Sequence, residues 1–492
     1  MYVCLHIVQV IQFSPIVPKP YKSAAYVVTL FAGPVFLLVL MMITAARKSR
    51  ISGDNFVEVL KEQLRNIYTH IRSPRFARAK QDSVIKLLDS SGRSIDEIYG
   101  HGQRKQQDRH VLDLTEQIIA NALEQRASDI LVDPKDESTY TVRLRIDGVL
   151  RTVRKLNADT CNAIINSIKA VSSMDISEKR RPQDGAFMAK KAGLTASFRV
   201  ASAGVLNGEK LSIRVLNQSA GTFTLTDVGL TKKQLSVIKG AISKPSGMLL
   251  MCGPTGSGKT TTLYAMLNAI DRFTRNVITV EDPIEAVLPE TSQIEINPKA
   301  DITFPKVLRS ILRQDPDVIC VGEIRDEETA EIALRASQTG HLVLATIHCD
   351  SNATALVRLL DLGVSPLLLS SGLSLLLSQR LLRVLCQRCK RPAKLPTGLM
   401  EELKKRHIDC THMFEPVGCK HCGQTGYFGR TAICDALVVD DQLKADIANN
   451  KGIVTQLRTE GKRTDRTNLR KEGLKRVALG ITSLEELKRT VG

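Results

Sequence analysis

A glycine-rich run that carries a lysine and three threonines is the first feature of this sequence whose residue types point to chemistry. Residues 253–261 read GPTGSGKTT. The glycines let the backbone turn tightly so that N–H groups face phosphate oxygens, while Lys259 supplies a positive charge and Thr260 a hydroxyl for Mg²⁺. ATP and Mg²⁺ are therefore the predicted ligands. The predicted nucleotide-contacting residues of this loop are Gly253, Pro254, Thr255, Gly256, Ser257, Gly258, Lys259, Thr260 and Thr261.

The segments on either side of this run favour a phosphate-binding loop over a plain glycine turn. Five apolar residues, Met248–Cys252, come directly before it and predict a buried strand. The residues TTTLYAML that follow the lysine predict a helix. A strand, a glycine-rich loop and a helix in this order are the context that the motif requires, and a helix N-terminus attracts anions.

Two carboxylates and a histidine follow three further predicted strands. The segments NVITVEDPIE, DPDVICVGEIRD and HLVLATIHCD place Glu281, Glu323 and His348 at strand ends. Since the carboxyl ends of parallel strands form the ligand crevice of an α/β sheet, we expect these groups to converge on the γ-phosphate. One carboxylate can activate the attacking water while another holds Mg²⁺ through water. Gly322 stands where many phosphate-loop motors have a magnesium-holding aspartate.

Four of the eleven cysteines form two CxxC pairs, Cys386 with Cys389 and Cys419 with Cys422. Two such pairs are the ligand set of a closed tetrahedral Zn²⁺ site, and four thiolates leave no open position for catalysis. The alternative is a pair of redox disulfides. In a reducing compartment the pairing favours metal thiolates. We therefore predict a structural zinc site that stabilises a loop without a core of its own.

The composition is that of a globular protein with an anionic partner. The chain has 492 residues, which suggests roughly three domains, and a formal net charge of +18. Lys and Arg outnumber Asp and Glu in residues 379–430 and 451–492, which predicts either a face against an anionic membrane surface or a solvated surface. No Trp and no basic–aromatic alternation accompany the charge, so direct nucleic-acid binding is not expected.

An uncharged apolar run near the N-terminus predicts a membrane anchor. Residues 24–46 read AAYVVTLFAGPVFLLVLMMITAA, and a bilayer core needs about 20 apolar residues. Arg47, Lys48 and Arg50 follow at once, which places the C-terminal side in the cytoplasm. A cleaved signal peptide, a mis-assigned start and a hydrophobic segment that does not span the bilayer are the alternatives.

Periodicity predicts two α/β units after the anchor. Helical spacing begins at Val111, and the alternating segment YTVRLRIDGVLRTV predicts a strand pair that turns at Asp147 and Gly148. This unit continues to about Asn217, and the larger unit that contains the glycine-rich loop follows. The predicted fold class is α/β.

Several motifs together resemble the bacterial type II secretion and type IV pilus assembly ATPases. RQDPDVICVGEIRD is similar to the family signature, TVEDPIE to its Asp box, TGHLVLATIH to its His box, GPTGSGKTTTLY to its Walker A loop and LSQRLLRVLC to the helix after the His box. RIDGVL, RRPQDGAF and GEKLSIRVL resemble its preceding PAS-like domain. The resemblance covers about residues 110–492. It implies a PAS-like α/β domain followed by a RecA-like phosphate-loop ATPase domain with an inserted zinc subdomain and a helical C-terminus. The apolar run at 24–46 adds a predicted N-terminal transmembrane helix to this organisation.

The resemblance also implies roles for individual residues. Glu323 matches the Walker B glutamate, and Glu281 is the best candidate for activating water. His341 and His348 would sense the phosphate state or line a subunit interface. Arg199 and Arg214 match arginines that reach the nucleotide when the domains close, a role that suits the planar guanidinium.

This sequence departs from the family pattern at one motif. The usual SDIHIEP reads SDILVDP, with Leu131 in place of His and Asp133 in place of Glu. Any role of those two side chains in this chain is therefore open. The predicted anchor is a second departure, since the family usually attaches to the membrane through partner proteins.

The predicted organisation follows from the anchor, the periodicity and the resemblance. Its segments are an N-terminal tail (1–23), a transmembrane anchor (24–46), a basic helical and linker region (47–110), a PAS-like domain (111–220), a RecA-like motor (221–385), a tetracysteine zinc subdomain (386–422) and a C-terminal helical part of the motor (423–492).

The resemblance implies a homo-hexamer at the bacterial inner membrane with its ATPase body in the cytoplasm. Its implied partners are a polytopic inner-membrane platform protein, pilin or pseudopilin subunits and the membrane surface. The implied activity is ATP hydrolysis that powers assembly of a type IV pilus or a type II secretion pseudopilus. The two CxxC pairs favour a role in pilus or pseudopilus assembly over one in pilus retraction. A DNA-translocating motor of a conjugation or DNA-uptake system and a non-hydrolysing nucleotide-binding scaffold are the alternatives.

Overall fold

A computed structural model describes residues 85–89, 91–94, 97, 106–191, 194–216, 221–394, 397–408, 410, 413–449 and 469–491. The predicted anchor at 24–46, most of the linker region and residues 451–468 of the basic tail lie outside these ranges. Within them, no helix has both the length and the apolar character needed to cross a membrane. The described parts of 86–190 and 195–492 belong to one compact unit.

The N-terminal part of this unit is a seven-stranded sheet in the order β1-β5-β6-β7-β2-β3-β4. Its strands are β1 Lys86–Leu88, β2 Ala127–Pro134, β3 Thr139–Ile146, β4 Val149–Asn157, β5 Gln183–Lys191, β6 Leu194–Val205 and β7 Gly208–Leu216. Helices α1 Gln106–Glu124 and α2 Ala158–Val171 pack on one another, α1 against β2 and α2 against β4. The predicted hairpin is confirmed. Asp147 and Gly148 join β3 to β4 with φ values of 48° and 84°, as a tight two-residue turn requires.

The larger part is a second seven-stranded sheet, in the order β10-β9-β11-β12-β8-β13-β16. All neighbours in it are parallel except β16, which pairs antiparallel with β13. Its strands are β8 Gly247–Cys252, β9 Val277–Glu281, β10 Ser292–Glu295, β11 Val318–Val321, β12 Leu342–Ile347, β13 Leu373–Leu385 and β16 Tyr427–Val438. The short pair β14 Arg391–Ala393 and β15 Met413–Glu415 lies outside this sheet.

Helices cover both faces of the second sheet. Every residue of β8, β9, β11 and β12 is buried, as expected for parallel strands between two helical layers. The helices are α3 Lys232–Ile242, α4 Lys259–Asn268, α5 Phe304–Ile311, α6 Glu327–Gln338, α7 Asn352–Asp361, α8 Pro366–Gly372, α9 Thr397–Lys405, α10 Asp441–Ala448, α11 Leu469–Ala478 and α12 Leu484–Val491, with 3-10 turns at Pro298–Ala300 and Lys420–Cys422. The mixed α/β class is as predicted.

A buried ion cluster fixes the last helix to the second sheet. Glu486 on α12 has no exposed surface, and its carboxylate accepts hydrogen bonds from the Arg383 side chain at 2.7 and 2.9 Å and from Arg489 at 2.7 and 2.8 Å. Burial raises the pKa of Glu486, but the hydrogen bonds from Arg489 and Arg383 outweigh it, so the pKa lies below its usual value. The charged form is therefore the native one.

We expect Glu486→Gln to lower the free energy of unfolding by about 3 kcal/mol, because the mostly buried Arg383 loses its counter-charge. Glu485→Gln, exposed on the same helix, should change it by less than about 0.5 kcal/mol. Since the folded-state pKa is lowered, the stabilisation is present above the unfolded pKa and is lost as the pH falls through the folded pKa. Denaturant unfolding near neutral pH and at strongly acidic pH measures the effect of each substitution and its dependence on pH. Equal losses in the two variants would contradict this account.

Candidate active site

The carboxyl ends of four adjacent strands meet the glycine-rich loop. β9, β11, β12 and β8 are consecutive in the sheet and parallel, so the groups that follow them lie at one edge. The sequence predicted this convergence for Glu281, Glu323 and His348.

The loop at 253–258 is closed on itself in a shape that its glycines make possible. Gly256 and Gly258 have φ values of 77° and 85°, which non-glycine residues rarely adopt. A Cβ at Gly253 would lie 2.5 Å from Ser257 Oγ, so the two arms of the loop touch there. Ser257 Oγ itself is buried, without a hydrogen-bond partner. Pro254, Thr255 and Gly256 are exposed at the crest, and Thr260 and Thr261 are half-buried in the first turn of α4.

Lys259, the first residue of α4, extends into the interior of the loop. Its Nζ donates to the carbonyl oxygens of Gly253 at 2.8 Å and Pro254 at 3.3 Å. The side chain is 8% exposed, and burial lowers its pKa while the charge of Glu323 opposes this. A buried cation bound to loop carbonyls and an orphaned serine hydroxyl fit a ligand that is anionic and accepts hydrogen bonds, as a phosphate chain does.

A chain of polar contacts crosses the strand ends in the same order as the strands. Arg325 binds Asp282 after β9 at 3.2 Å and Glu323 after β11 at 3.0 Å. Glu323 in turn lies 3.0 Å from Nε2 of His348, which follows β12, and Nδ1 of His348 lies 3.5 Å from Lys259 Nζ. Sequence reasoning missed Arg325, although its place two residues after Glu323 at a strand end was a usable signal.

The backbone of the neighbouring strand β9 lies close to Gly322. A Cβ there would lie 3.1 Å from the carbonyl oxygen of Val280 and 3.2 Å from Cα of Glu281. An aspartate at this point, as many phosphate-loop motors have, would require the backbone of β9 to shift by a few tenths of an ångström. Glu323 is the carboxylate that this strand end provides.

Glu281 is buried among protein donors. Its carboxylate accepts hydrogen bonds from the hydroxyl groups of Tyr264 and Thr279 and from the amide of Gln293, the last two at 2.6 and 3.1 Å. The residue is 3% exposed. Three of the roughly four acceptor positions of this carboxylate are filled by protein donors, and its burial leaves little access for a water molecule.

Glu285, the last residue of TVEDPIE, is a carboxylate in hydrogen-bond contact with the loop threonine. Thr260 Oγ1 lies 3.4 Å from its Oε1, and the residue remains accessible to solvent. The pKa of Glu285 is raised, mainly because the surrounding protein removes part of its hydration, and the charge of Glu281 adds to this. The hydrogen bond from Thr260 and the charges of Arg214 and Arg199 act in the opposite direction but are outweighed. Sequence reasoning passed over Glu285 because Glu281 stands in the strand itself.

The first sheet presents both predicted arginines on neighbouring strands. Arg199 and Arg214 are register partners across β6 and β7, and both lower the pKa of Glu285 through their charge. Arg199 binds Glu295 at 3.2 Å and Arg214 lies 3.5 Å from Asp129. The two guanidinium groups therefore belong to the electrostatic surroundings of Glu285. Contact with a nucleotide stays a prediction for both.

His341 lies at the other end of β12 from His348. The six residues of the strand, Leu342–Ile347, put them about 20 Å apart. Nδ1 of His341 is 2.9 Å from the carbonyl oxygen of Ala336, so the structure does not bring this histidine to the loop of its own chain.

The departure from the family pattern in β2 is accommodated by ion pairs. Asp133 binds Arg143 at 2.6 Å and Lys210 at 3.3 Å, both within the first sheet. This fixes β2 to its neighbours.

The two cysteine pairs form one cluster. Their four sulfur atoms lie within 4.8 Å of one another, and the distances from Cys386 to Cys419, Cys389 to Cys422 and Cys419 to Cys422 are 3.9, 3.9 and 3.8 Å. Zinc–sulfur bonds of about 2.3 Å in a tetrahedron place sulfurs about 3.8 Å apart, so the donor set fits Zn²⁺. Burial raises the pKa of Cys422, but the N–H groups of Cys419 and Gly426 outweigh it and lower the pKa to about 6.

The segment after the cluster contacts the β3–β4 hairpin. Arg151 donates to the carbonyl oxygen of Gly423 at 3.0 Å, and the Gly429 N–H donates to Asp147 at 3.2 Å. Arg126 lies over the ring of Phe428 at 3.8 Å. The cysteine cluster is therefore connected to the first sheet through polar and cation–π contacts.

The comparison with known proteins gives a consistent result. A family model described as type II/IV secretion system protein matches residues 104–489. Type II secretion system protein E of Pseudomonas aeruginosa is 41% identical over 385 residues, which are 78% of this chain and 76% of that protein. The type IV pilus assembly ATPase PilB of Acinetobacter baylyi is 40% identical over 377 residues, 76% of this chain and 65% of that protein. The Legionella pneumophila ATPase DotB, 20% identical, shares the fold with a TM-score of 0.58 over 76% of this chain and 94% of its own.

Proposed function

This chain belongs to the type II/IV secretion system protein family and is an ATPase, and from that premise we propose that it powers assembly of a type IV pilus or a type II secretion pseudopilus. The observation that carries the proposal is the continuous contact chain from Asp282 through Arg325, Glu323 and His348 to Lys259 beside the loop. Such a chain lets the presence of a phosphate at Lys259 change contacts at three strand ends.

The loop residues are proposed to hold ATP and Mg²⁺. Lys259 would exchange its loop carbonyls for phosphate oxygens, and the N–H groups at the start of α4 would bind the same phosphates. Thr260 and Glu323 would hold Mg²⁺, which supplies charge neutralisation to the phosphates when it is bound. His348 would then report the phosphate state through its contact with Glu323.

We assign activation of the attacking water to Glu285 rather than to Glu281. Glu285 is accessible and lies beside Thr260, and its raised pKa suits a group that must accept a proton. Arg199 and Arg214 would neutralise the charge that develops nearby. Glu281 would instead hold Tyr264 and so position the helix α4 that carries Lys259.

The remaining parts of the proposal extend to the assembly. The first sheet would act as the PAS-like domain and the second as the RecA-like motor of a homo-hexamer, with His341 on a subunit interface. The body would work at the cytoplasmic face of the inner membrane against a polytopic platform protein, inserting pilin-like subunits. The cysteine cluster would hold Zn²⁺ as a structural ion. The segment at 24–46 stays a predicted anchor.

A membrane co-purification tests this function. We expect Glu323→Gln protein, loaded with ATP and Mg²⁺, to recover one polytopic inner-membrane protein and pilin-like subunits, unchanged by nuclease. Glu331→Gln, a surface residue of α6 paired with Arg335, is the matched control and should release these partners because it still hydrolyses ATP. Recovery that depended on DNA and lacked a platform protein would overturn the proposal in favour of a DNA-translocating motor.

A further inference from the structure

A buried glutamine on β13 is hydrogen-bonded to the glycine-rich loop. Gln379 has no exposed surface, and its Nε2 donates to the carbonyl oxygen of Ser257 at 2.8 Å. Its Oε1 accepts from the Thr262 hydroxyl at 2.9 Å and from the Cys434 thiol at 3.3 Å. The amide therefore has a fixed orientation, because exchanging its oxygen and nitrogen would lose the bond to Ser257.

The bond to Ser257 determines the direction of the next N–H group. In a trans peptide the C=O and the following N–H point in opposite directions. Since the Ser257 carbonyl points to Gln379, the Gly258 N–H points away from β13. Across the ranges that the structure describes, that N–H has no protein acceptor. It is a free donor at the N-terminus of α4.

Gln379 packs closely against the two glycines at the ends of the loop. A Cβ at Gly253 would lie 2.8 Å from the backbone oxygen of Gln379, and one at Gly258 would lie 3.0 Å from its Nε2. Gln379 thus lies close to both ends of the loop, and rotation of the Ser257–Gly258 peptide would break the hydrogen bond that Gln379 donates to it.

We propose that Gln379 is a positioning residue for nucleotide binding, which orients the Gly258 N–H toward a phosphate oxygen. The inference rests on the proposed nucleotide site at 253–261. Gln379 does not contact the nucleotide and acts only through the Ser257–Gly258 peptide. Without it, the peptide can rotate and present its carbonyl dipole to the phosphates instead.

Gln379→Met keeps the volume and removes the amide, and we expect it to raise the Kd for ADP about tenfold, with the KM for ATP rising in parallel. A charge-assisted hydrogen bond is of this size, since about 1.4 kcal/mol corresponds to tenfold. The turnover number kcat should change by less than about threefold, because the bond is made equally to bound substrate and transition state.

The matched control is Gln234→Met. Gln234 is also a buried glutamine, 6% exposed, and its Nε2 donates to the carbonyl oxygen of the same Cys434, but it caps α3 and does not contact the loop. We expect a comparable decrease in melting temperature without nucleotide and an unchanged Kd. Titration of full-length protein with a fluorescent ADP gives the affinities. An unchanged Kd in Gln379→Met, or an equal rise in both variants, would overturn the inference.

Two further variants keep the outcome decisive. If Gln379→Met does not fold, Thr262→Val takes its place, because it removes one of the hydrogen bonds that orient the Gln379 amide. It should raise the Kd for ADP two- to threefold, about the effect of a weak neutral hydrogen bond. No rise would overturn the inference.

Lys259→Ala tests the nucleotide site itself. Undiminished ADP binding in Lys259→Ala would reject the proposed site, whereas weakened binding there with a normal Gln379→Met would reject only the role of Gln379.

Discussion

Replacing Glu285 with Gln should lower kcat for ATP hydrolysis about 10³-fold, the usual contribution of a general base. The amide keeps the shape and the contact with Thr260 but cannot accept a proton. Nucleotide affinity should stay within about threefold of the native value, because Glu285 does not belong to the loop. Steady-state phosphate release and ADP titration measure the two quantities separately.

The pH dependence gives a second signature of the same carboxylate. A base must be ionised to act, and partial burial raises the pKa of Glu285. Activity should therefore fall on the acid side at a pH above the ordinary glutamate pKa of 4.5, and kcat/KM should report this pKa in the free enzyme. The residual activity of Glu285→Gln should lack that limb.

Glu281→Gln is the matched comparison, since it makes the same change in the same segment. We expect a loss of at most about tenfold in kcat, together with a lower melting temperature, because the buried bonds with Tyr264 and Thr279 weaken. The reverse result, a 10³-fold loss for Glu281→Gln and a small one for Glu285→Gln, would restore Glu281 as the activating base.

The sequence predicted those parts of the site that local patterns determine. Buried apolar runs followed by polar residues predicted four strand ends, and parallel pairing brought Glu323, His348 and the loop together. The dipeptide at Asp147 predicted the hairpin because few residues adopt its φ. The spacing of two CxxC pairs predicted a cluster whose sulfurs lie within 4.8 Å.

The rest depends on which side chains meet in the folded chain. Glu281 loses access to water through Tyr264 on a helix and Gln293 on an edge strand, and neither is close to it in sequence. Gln379 meets the loop because β13 lies beside β8, a neighbour relation that no local pattern reveals. The separation of His341 and His348, in contrast, could have been predicted from the sequence. The apolar strand between the two residues already implied that they lie at opposite ends of the sheet.

Removal of the metal should have the largest effect on stability. Structural Zn²⁺ contributes about 10–16 kcal/mol of apparent folding free energy in zinc-finger peptides. In the described parts of 386–426, Leu403 is the one buried apolar side chain besides Cys386 and Cys422, so little else replaces the metal. We expect purified protein to contain one Zn²⁺ per chain, and Cys419→Ser or a strong chelator to release it. Elemental analysis measures the stoichiometry. A protein without zinc whose mass shows two disulfides would support the redox alternative.

Loss of zinc should also destabilise part of the first sheet, because the β3–β4 hairpin contacts the segment that follows the cysteine cluster. Arg151 depends on the Gly423 carbonyl, and Arg126 on the ring of Phe428. Hydrogen exchange should therefore accelerate in 386–426 and also around Asp147, whereas Cys410→Ser, a cysteine outside the cluster, should retain the metal and the native exchange of the hairpin. Faster exchange confined to 386–426 would mean that the hairpin is held by its own sheet, and the cluster would then stabilise only its own loop.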